Sequence, residues 1–495
     1  MTTTTATADT APSSREFVKA MTLTDATMLV AGSMIGSGIF IVSADIGRTV
    51  GSPFWLLMAW LVAGIVTILG ALAYGELAAM YPRAGGQYVF LRESMGHLMG
   101  FLYGWTLFIV IQTGTIAAVA VAFGRFLGVL WPAITPDRFG WFPQFDVLTP
   151  GGPIQLGLSP QRLVALVTIW VLTWVNLRGV KEGKIVQTTL TVVKTGALAA
   201  LILLGLTIGR NAGAVAANFG AVGFNPVDLA SVFPIAFGAA LVGSLFSSDA
   251  WNNVTFAAAE VQEPRRNLPR ALIYGTGLVS LLYILANVAY LNVLPLHGSP
   301  DAATVFGHGI QHATQDRVAS AVAESIFGPI GASIMAVAIL ISTFGCNNGL
   351  ILSGARVYYA MAKDKLFFAR AGNLNRNSVP AAALIAQSIW TSLLCLTGTY
   401  GQLLDYVIFA ALIFYVLTTV GLFRLRKLRP DAERPYRALG YPILPALYIF
   451  LAASIAVILL IADKTRAQAL SGLVIVLLGV PVYFLWRQAN PASPR

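Results

Sequence analysis

Twelve stretches of apolar residues, each long enough to cross a bilayer, alternate with short polar segments along the chain. They lie at about 22–46, 54–80, 98–130, 161–177, 186–208, 229–259, 271–294, 329–361, 381–397, 402–424, 442–462 and 469–487. The pattern predicts an all-α membrane protein of twelve spans. Two spans break the pattern from within. The first reads "VAGSMIGSGIFIVSADIG" (30–47), with Gly32, Gly36 and Gly38 interleaved with Ser33 and Ser37. The sixth clusters small and polar residues at "GSLFSSDAW" (243–251).

Glycine weakens a helix by roughly 1 kcal/mol relative to alanine, and an unpaired backbone group in lipid costs several kcal/mol more. Such runs therefore need a function or a packing role. Small-xxx-small spacing drives close helix contact. Paired interruptions at matching places in two five-helix halves instead point to a transport site between inverted repeats. Because five is odd, the second half enters the membrane upside down. A half-helix starting at Gly38 aims its positive end at the gap, which suits a carboxylate. The freed carbonyls suit an ammonium. Together they match the two charges of an α-amino acid.

Composition and charge narrow the class. Of 495 residues, 57% are hydrophobic and 11% charged, where a soluble domain carries about 25% charged. The net charge of +11 is a topology signal rather than a nucleic-acid footprint. With the N-terminus cytoplasmic, "RGVKEGK" (178–184), "EPRRNLPR" (263–270), "KDKLFFARAGNLNR" (363–376) and "RLRKLRPDAERPYR" (424–437) all fall inside. About 23 of the 32 basic residues then lie on the inner side. This predicts a multi-pass plasma-membrane protein with both termini cytoplasmic. The Thr-rich segment 1–21 reads as a disordered tail, not a signal peptide. The longest outer loops are 131–160 and 295–318, and "VASAVAESIFG" (318–328) reads as an amphipathic helix beside them. Cys346 and Cys395 form no metal-type pair, and His297, His308 and His312 are irregularly spaced in a loop. No metal or cofactor is expected.

Four motifs carry a family resemblance. "GSMIGSGIF", "YGELAAMYPRAGGQYVFLRE" (74–93), "FSSDAWNNVTFAAAEVQEPRRNLPRAL" (246–272) and "FGCNNGLILSGARVYYAMAKD" (344–364) resemble the amino acid–polyamine–organocation superfamily, in particular its L-type amino acid transporter branch. The resemblance covers roughly 22–489. It implies two inverted repeats, over 22–210 and 228–425, with two added helices in 441–489. It implies that the Ser37 and Gly38 N–H groups hold the substrate carboxylate, with Gly36 shaping the turn and Ile35 beside it in the substrate-binding set. The Met34 and Phe246 carbonyls would take the ammonium, Phe246 would cover the substrate from outside, and Ser247 and Asn252 complete the candidate set. Where the branch often has glycine, this chain has Ser248 or Asp249. Eukaryotic members attach to a heavy chain through a cysteine after the third helix. Residues 131–160 contain none, so this chain is expected to work without a disulfide-linked partner.

Ionisable residues at membrane depth are functional candidates. Lys194, in the middle of the fifth span, occupies the place that sodium takes in sodium-coupled relatives, by the same resemblance. It is read as a fixed or proton-switchable coupling cation that makes sodium unnecessary, with Ser342 and Thr343 as hydroxyl partners. Asp249 is read first as a cap for the second half of the sixth span, with carrying a proton or binding a cationic amino acid or polyamine as the other open roles. Glu76 reads as a structural partner for loop charges, and Arg356 as an anchor at the cytoplasmic surface. The spans offer no histidine cluster, paired carboxylates or nucleophile motif for an enzyme, no charged stripe for a channel and no phosphate-binding Gly-Lys motif for ATP. The reading is a sodium-independent secondary transporter of neutral amino acids, working by exchange or proton symport.

Overall fold

The computed structural model describes residues 16–137, 139–143, 145–149, 152–220, 234–397 and 400–489. Among them, ten helices are long and apolar enough to cross a membrane. They are Leu23–Ile41, Pro53–Met80, His97–Leu130, Pro160–Leu177, Lys181–Leu206, Pro264–Val293, Pro329–Lys363, Val407–Leu428, Ile443–Ile461 and Asp463–Ala489. Two further expected spans are present as shorter apolar helices, Ile235–Ser247 and Ala381–Thr397.

Local chemistry sets where these helices start. Thr22 and Asp25 form a capping box at the head of the first helix, where each side chain satisfies the other's backbone N–H. Prolines open the helices at Pro53, Pro160, Pro264 and Pro329, where a missing N–H costs nothing. Outward faces are apolar, as lipid requires. Val167, Trp170 and Trp174 stand exposed on Pro160–Leu177, and Leu477 and Leu485 on Asp463–Ala489.

The first and sixth spans sit at the centre. Leu23–Met34 packs against Pro264–Val293, Val180–Leu206 and Pro329–Lys363. Nearly every residue from Leu29 to Ala44 is buried. The helix stops at Met34, resumes at Gly38–Ile41 and continues as Ser43–Val50. The sixth span stops at Ser247 and resumes as the short turns Asn253–Phe256 and Ala258–Glu260. Both interruptions fall where the glycine and serine clusters predict them.

Four expectations need correction. An antiparallel hairpin, Phe145–Thr149 with Gly152–Leu156, departs from the all-α reading; it lies in the loop expected outside the membrane, where strand edges can meet water. The tail expected over 1–21 is anchored at its end. Met21 pairs in parallel with Val261, through Met21 N–H to Glu260 O (2.9 Å) and Gln262 N–H to Met21 O (2.8 Å). Residues 1–15 lie outside the described residues. Arg356 does not reach the surface: it is 1% exposed and pairs with Glu260 at 2.9 Å. The turn at 258–260 carries a carboxylate to it, and a buried guanidinium with a fixed partner has no reason to extend to water. Thr343 turns its hydroxyl back onto its own helix, to Ile339 O at 2.9 Å, so it is no partner of Lys194.

Glu76 sits as expected. It is fully buried, paired with Arg426 (2.6 Å) and Arg434 (3.2 Å), and accepts the Ala438 N–H at 2.7 Å. It ties the Pro53–Met80 helix to the basic loop after Tyr400–Leu428. The segment read as an amphipathic helix forms Val318–Phe327, with Val318–Ala323 buried.

Candidate functional site

A helix ending inside a membrane leaves its last four carbonyls without backbone partners. In Leu23–Met34 these are Gly32, Ser33, Met34 and Ile35, since the Ile35 N–H closes on Ala31 O. All four are met by side chains from other spans. Lys194 Nζ donates to Gly32 O and to Ile35 O, both at 2.6 Å. Cys346 Sγ lies 3.1 Å from Ser33 O. The Tyr283 hydroxyl reaches Met34 O at 2.9 Å. The Ser342 hydroxyl lies 3.2 Å from Ile35 O and 2.9 Å from Gly36 O. The backbone is therefore held unwound by a shell of donors, and its one formal charge is the ammonium at the negative end of the half-helix dipole.

Lys194 is 1% exposed and also reaches the Ser342 backbone O at 3.3 Å. Ser342 thus meets Lys194 through its carbonyl, not through the hydroxyl expected from sequence. Gln187 and Thr191 share the inward face of Val180–Leu206 with Lys194, at helical spacing. They press on Gly32, where a Cβ would come within 2.2 Å of both. Gly32 is what lets the fifth span approach closely enough for Lys194 to reach the break.

On the far side of the break, Ser37 is the N-cap of Gly38–Ile41 and accepts the Phe40 N–H at 3.1 Å. Gly38 lies against the end of the sixth span. A Cβ there would stand 2.1 Å from Ser247 Oγ and 3.1 Å from Ser247 Cα. A Cβ at Gly36 would meet Cys346 Sγ at 3.0 Å. Tyr283 spans the two breaks, since its hydroxyl also lies 3.0 Å from Ser247 O. The two interruptions are thus in direct contact, joined through Tyr283.

The remaining candidates gather around the sixth span. Phe246 is 6% exposed, and its carbonyl accepts the Asp249 N–H at 3.1 Å. Asp249 does not cap the second half-helix as expected. The N-cap there is Asn252, and the Asp249 carboxylate accepts a short hydrogen bond from the Tyr415 hydroxyl. Ala250 has a left-handed backbone (φ 62°), so the chain turns before the helix restarts and leaves the carboxylate facing the Tyr400–Leu428 helix. Asn252 donates to Gln87 Oε1 at 2.7 Å, and Gln87 donates on to Thr418 at 3.1 Å. Asp249, Asn252, Asn253 and Tyr415 line a cavity with room for about one water. Met34, Ile35, Gly36, Ser37, Gly38 and Phe246 lie outside its lining. In this conformation the breaks are packed shut, and the cavity flanks the sixth span.

Tyr283, Gln87 and Tyr415 were not singled out by sequence reasoning. Their signal is weak but physical: a hydroxyl or amide inside a span needs a partner. That partner lies far away in sequence.

A family model described as amino acid permease matches residues 21–483. The chain is 30% identical over 459 residues to the serine/threonine exchanger SteT of Bacillus subtilis, covering 92% of this chain and 94% of that protein. It is 30% identical over 475 residues to the human large neutral amino acids transporter small subunit 2, covering 94% of this chain and 80% of that protein. It is 29% identical over 477 residues to the mouse Asc-type amino acid transporter 1, covering 95% and 82%.

Proposed function

The chain belongs to the amino acid permease family, and on that premise we propose that it carries neutral L-amino acids across the plasma membrane by alternating access, without sodium. It is a multi-pass membrane protein of a transporter family, not an enzyme. In the proposed architecture, twelve spans form two inverted five-helix repeats and two added helices, with both termini cytoplasmic. The protein works as an exchanger or proton-coupled symporter, with no disulfide-linked partner.

The observation that carries the reading is the contact between two interrupted helices, Gly38 against Ser247, with the Tyr283 hydroxyl within hydrogen-bond distance of a carbonyl in each break. A break buried between helices is tolerated where it lines a binding site. The carboxylate of an amino acid would bind the N–H groups that open Gly38–Ile41. Its ammonium would lie against the Met34 and Phe246 carbonyl oxygens, each of which can accept more than one donor. Lys194 supports sodium independence, because its ammonium already supplies a cation to the carbonyls of the first break. The names of the relatives, a serine/threonine exchanger and large neutral amino acids transporters, agree with a neutral substrate.

Purified protein in ATP-free liposomes preloaded with L-alanine should take up labelled L-alanine equally in sodium, potassium and choline buffers. Absence of amino acid uptake in every buffer overturns the transport reading. A steep dependence on sodium overturns the sodium-free reading alone.

A cationic or polyamine substrate is the second reading, because Asp249 is a buried carboxylate lining a cavity beside the break. Its bond to Tyr415 supports the neutral reading. Asp249→Asn keeps an acceptor oxygen for that hydroxyl and loses only the charge assistance, about 1 kcal/mol. Alanine and leucine uptake by the variant should stay within about fivefold of wild type on that scale. Selective loss of arginine uptake would install the cationic reading instead.

A further inference from the structure

A second, larger cavity lies away from the two breaks. It sits among the polar segment after Pro264–Val293, the Val318–Phe327 helix, and the ends of His97–Leu130 and Pro329–Lys363. This segment packs on the end of the first span opposite Met21: Arg48 donates to Gln311 O and pairs with Asp316, both at 2.6 Å. The cavity therefore opens on the face proposed to be outside. Its volume is about 150 Å³, roughly ten times what one water needs.

Its polar lining is arranged by charge. Arg317 stands at the N-cap of Val318–Phe327, and Glu324 follows seven residues later on the same helix face. The two do not form an ion pair. The Arg317 guanidinium is half-buried, and its one hydrogen bond among the described residues is from Nε to Thr314 O at 3.3 Å. Burial and the nearby Arg125 charge together hold its pKa below the usual arginine value, against a weaker pull from Glu324. It is a cation short of an anion. Between the two charges lies Ser320, 5% exposed, whose hydroxyl is buried without a partner and whose residue lines the cavity. Val129, Val305, Ala321 and Ala332 supply an apolar wall.

A purely structural pair would close Arg317 onto Glu324, since a direct ion pair relieves both groups. Held apart across a cavity, they are complementary to a ligand that carries both charges itself. We propose that this cavity is a second site for a small zwitterionic amino acid, with the carboxylate on Arg317 and Ser320, the ammonium on Glu324, and a short apolar side chain against Val129 and Val305. It rests on the amino acid reading above and deepens it. A site in the loop layer captures substrate before it reaches the breaks, so it acts on KM and not on kcat.

The test is equilibrium binding of radiolabelled L-alanine to the full chain in lipid nanodiscs, paired with uptake kinetics in liposomes. Wild type should bind two alanines per protein. Arg317→Gln and Glu324→Gln should each weaken one of them at least tenfold and raise KM severalfold with kcat unchanged. Gly38→Val should remove the other alanine and keep this one. Propionate, which lacks the ammonium, should compete poorly. One alanine per protein in an actively transporting wild type overturns the second site and leaves the transport reading standing. Equal competition by propionate together with indifference to Glu324→Gln overturns the zwitterion assignment. Neither binding nor uptake of any amino acid overturns the transport reading instead.

Discussion

Lys194→Ala should reduce amino acid uptake by at least about tenfold while the protein remains folded and monodisperse. The ammonium donates to Gly32 O and Ile35 O at 2.6 Å each. Charge-assisted bonds of this kind contribute about 1.5–3 kcal/mol apiece. Relief from burying the charge offsets part of that loss. What remains exceeds the ~1.4 kcal/mol that corresponds to a factor of ten. Ser342 and Tyr283 still reach Ile35 O and Met34 O in the variant, so the first span stays anchored and loss of activity is not loss of fold. Gly32 O has no such second side-chain donor among the described residues, and its orphaned carbonyl would distort the turn that presents the Ser37 and Gly38 N–H groups. Initial uptake rates, read beside the thermal midpoint of the same preparation, decide the matter. Wild-type uptake by Lys194→Ala would show that the ammonium is structural filling and has no part in transport.

Much of this architecture is legible in the sequence because lipid imposes simple rules. Apolar length marks the spans, and glycine and serine clusters mark the two breaks within a residue or two. The depth of Lys194 marks it as a partner for something polar. What the sequence does not carry is which polar groups meet. Asp249 reads as a cap because its sequence neighbours suggest one, yet its bond is to Tyr415, 166 residues away. Tyr283 joins both breaks from 249 residues beyond Met34, in a span whose apolar pattern gives it no emphasis. Arg356 looks like a residue near the inner surface, and nothing near it in sequence points to Glu260 as its partner. Only packing shows that a tight turn and a long helix bury them together. Local periodicity dictates helices. Pairing across helices depends on backbone approach, and that is fixed by small residues such as Gly32 and Gly38, whose neighbours lie far along the chain.

Gly38→Val should abolish uptake and substrate binding at the first break. The added Cβ would lie 2.1 Å from Ser247 Oγ, 2.8 Å from Ser247 Cβ and 3.1 Å from Ser247 Cα, so rotating one hydroxyl is not enough to admit it. Ser247 Oγ is itself held by its bond to Gly243 O at 2.8 Å. The two breaks must therefore separate, and valine's branched Cβ further restricts the backbone that presents the N–H groups. Overpacking of this kind costs about 1–3 kcal/mol, which a protein of this size can survive while losing the site. The clash and the site can be separated. Gly38→Ala should also be inactive, because the Cβ alone makes the contact. Adding Ser247→Gly removes the Oγ and Cβ and leaves only the 3.1 Å approach to Cα. The double variant should regain thermal stability and part of its alanine binding, since the half-helix N-terminus again lies beside the sixth span with its N–H groups uncovered. Full alanine affinity in Gly38→Val would show that the first break serves packing alone and that the carboxylate binds elsewhere.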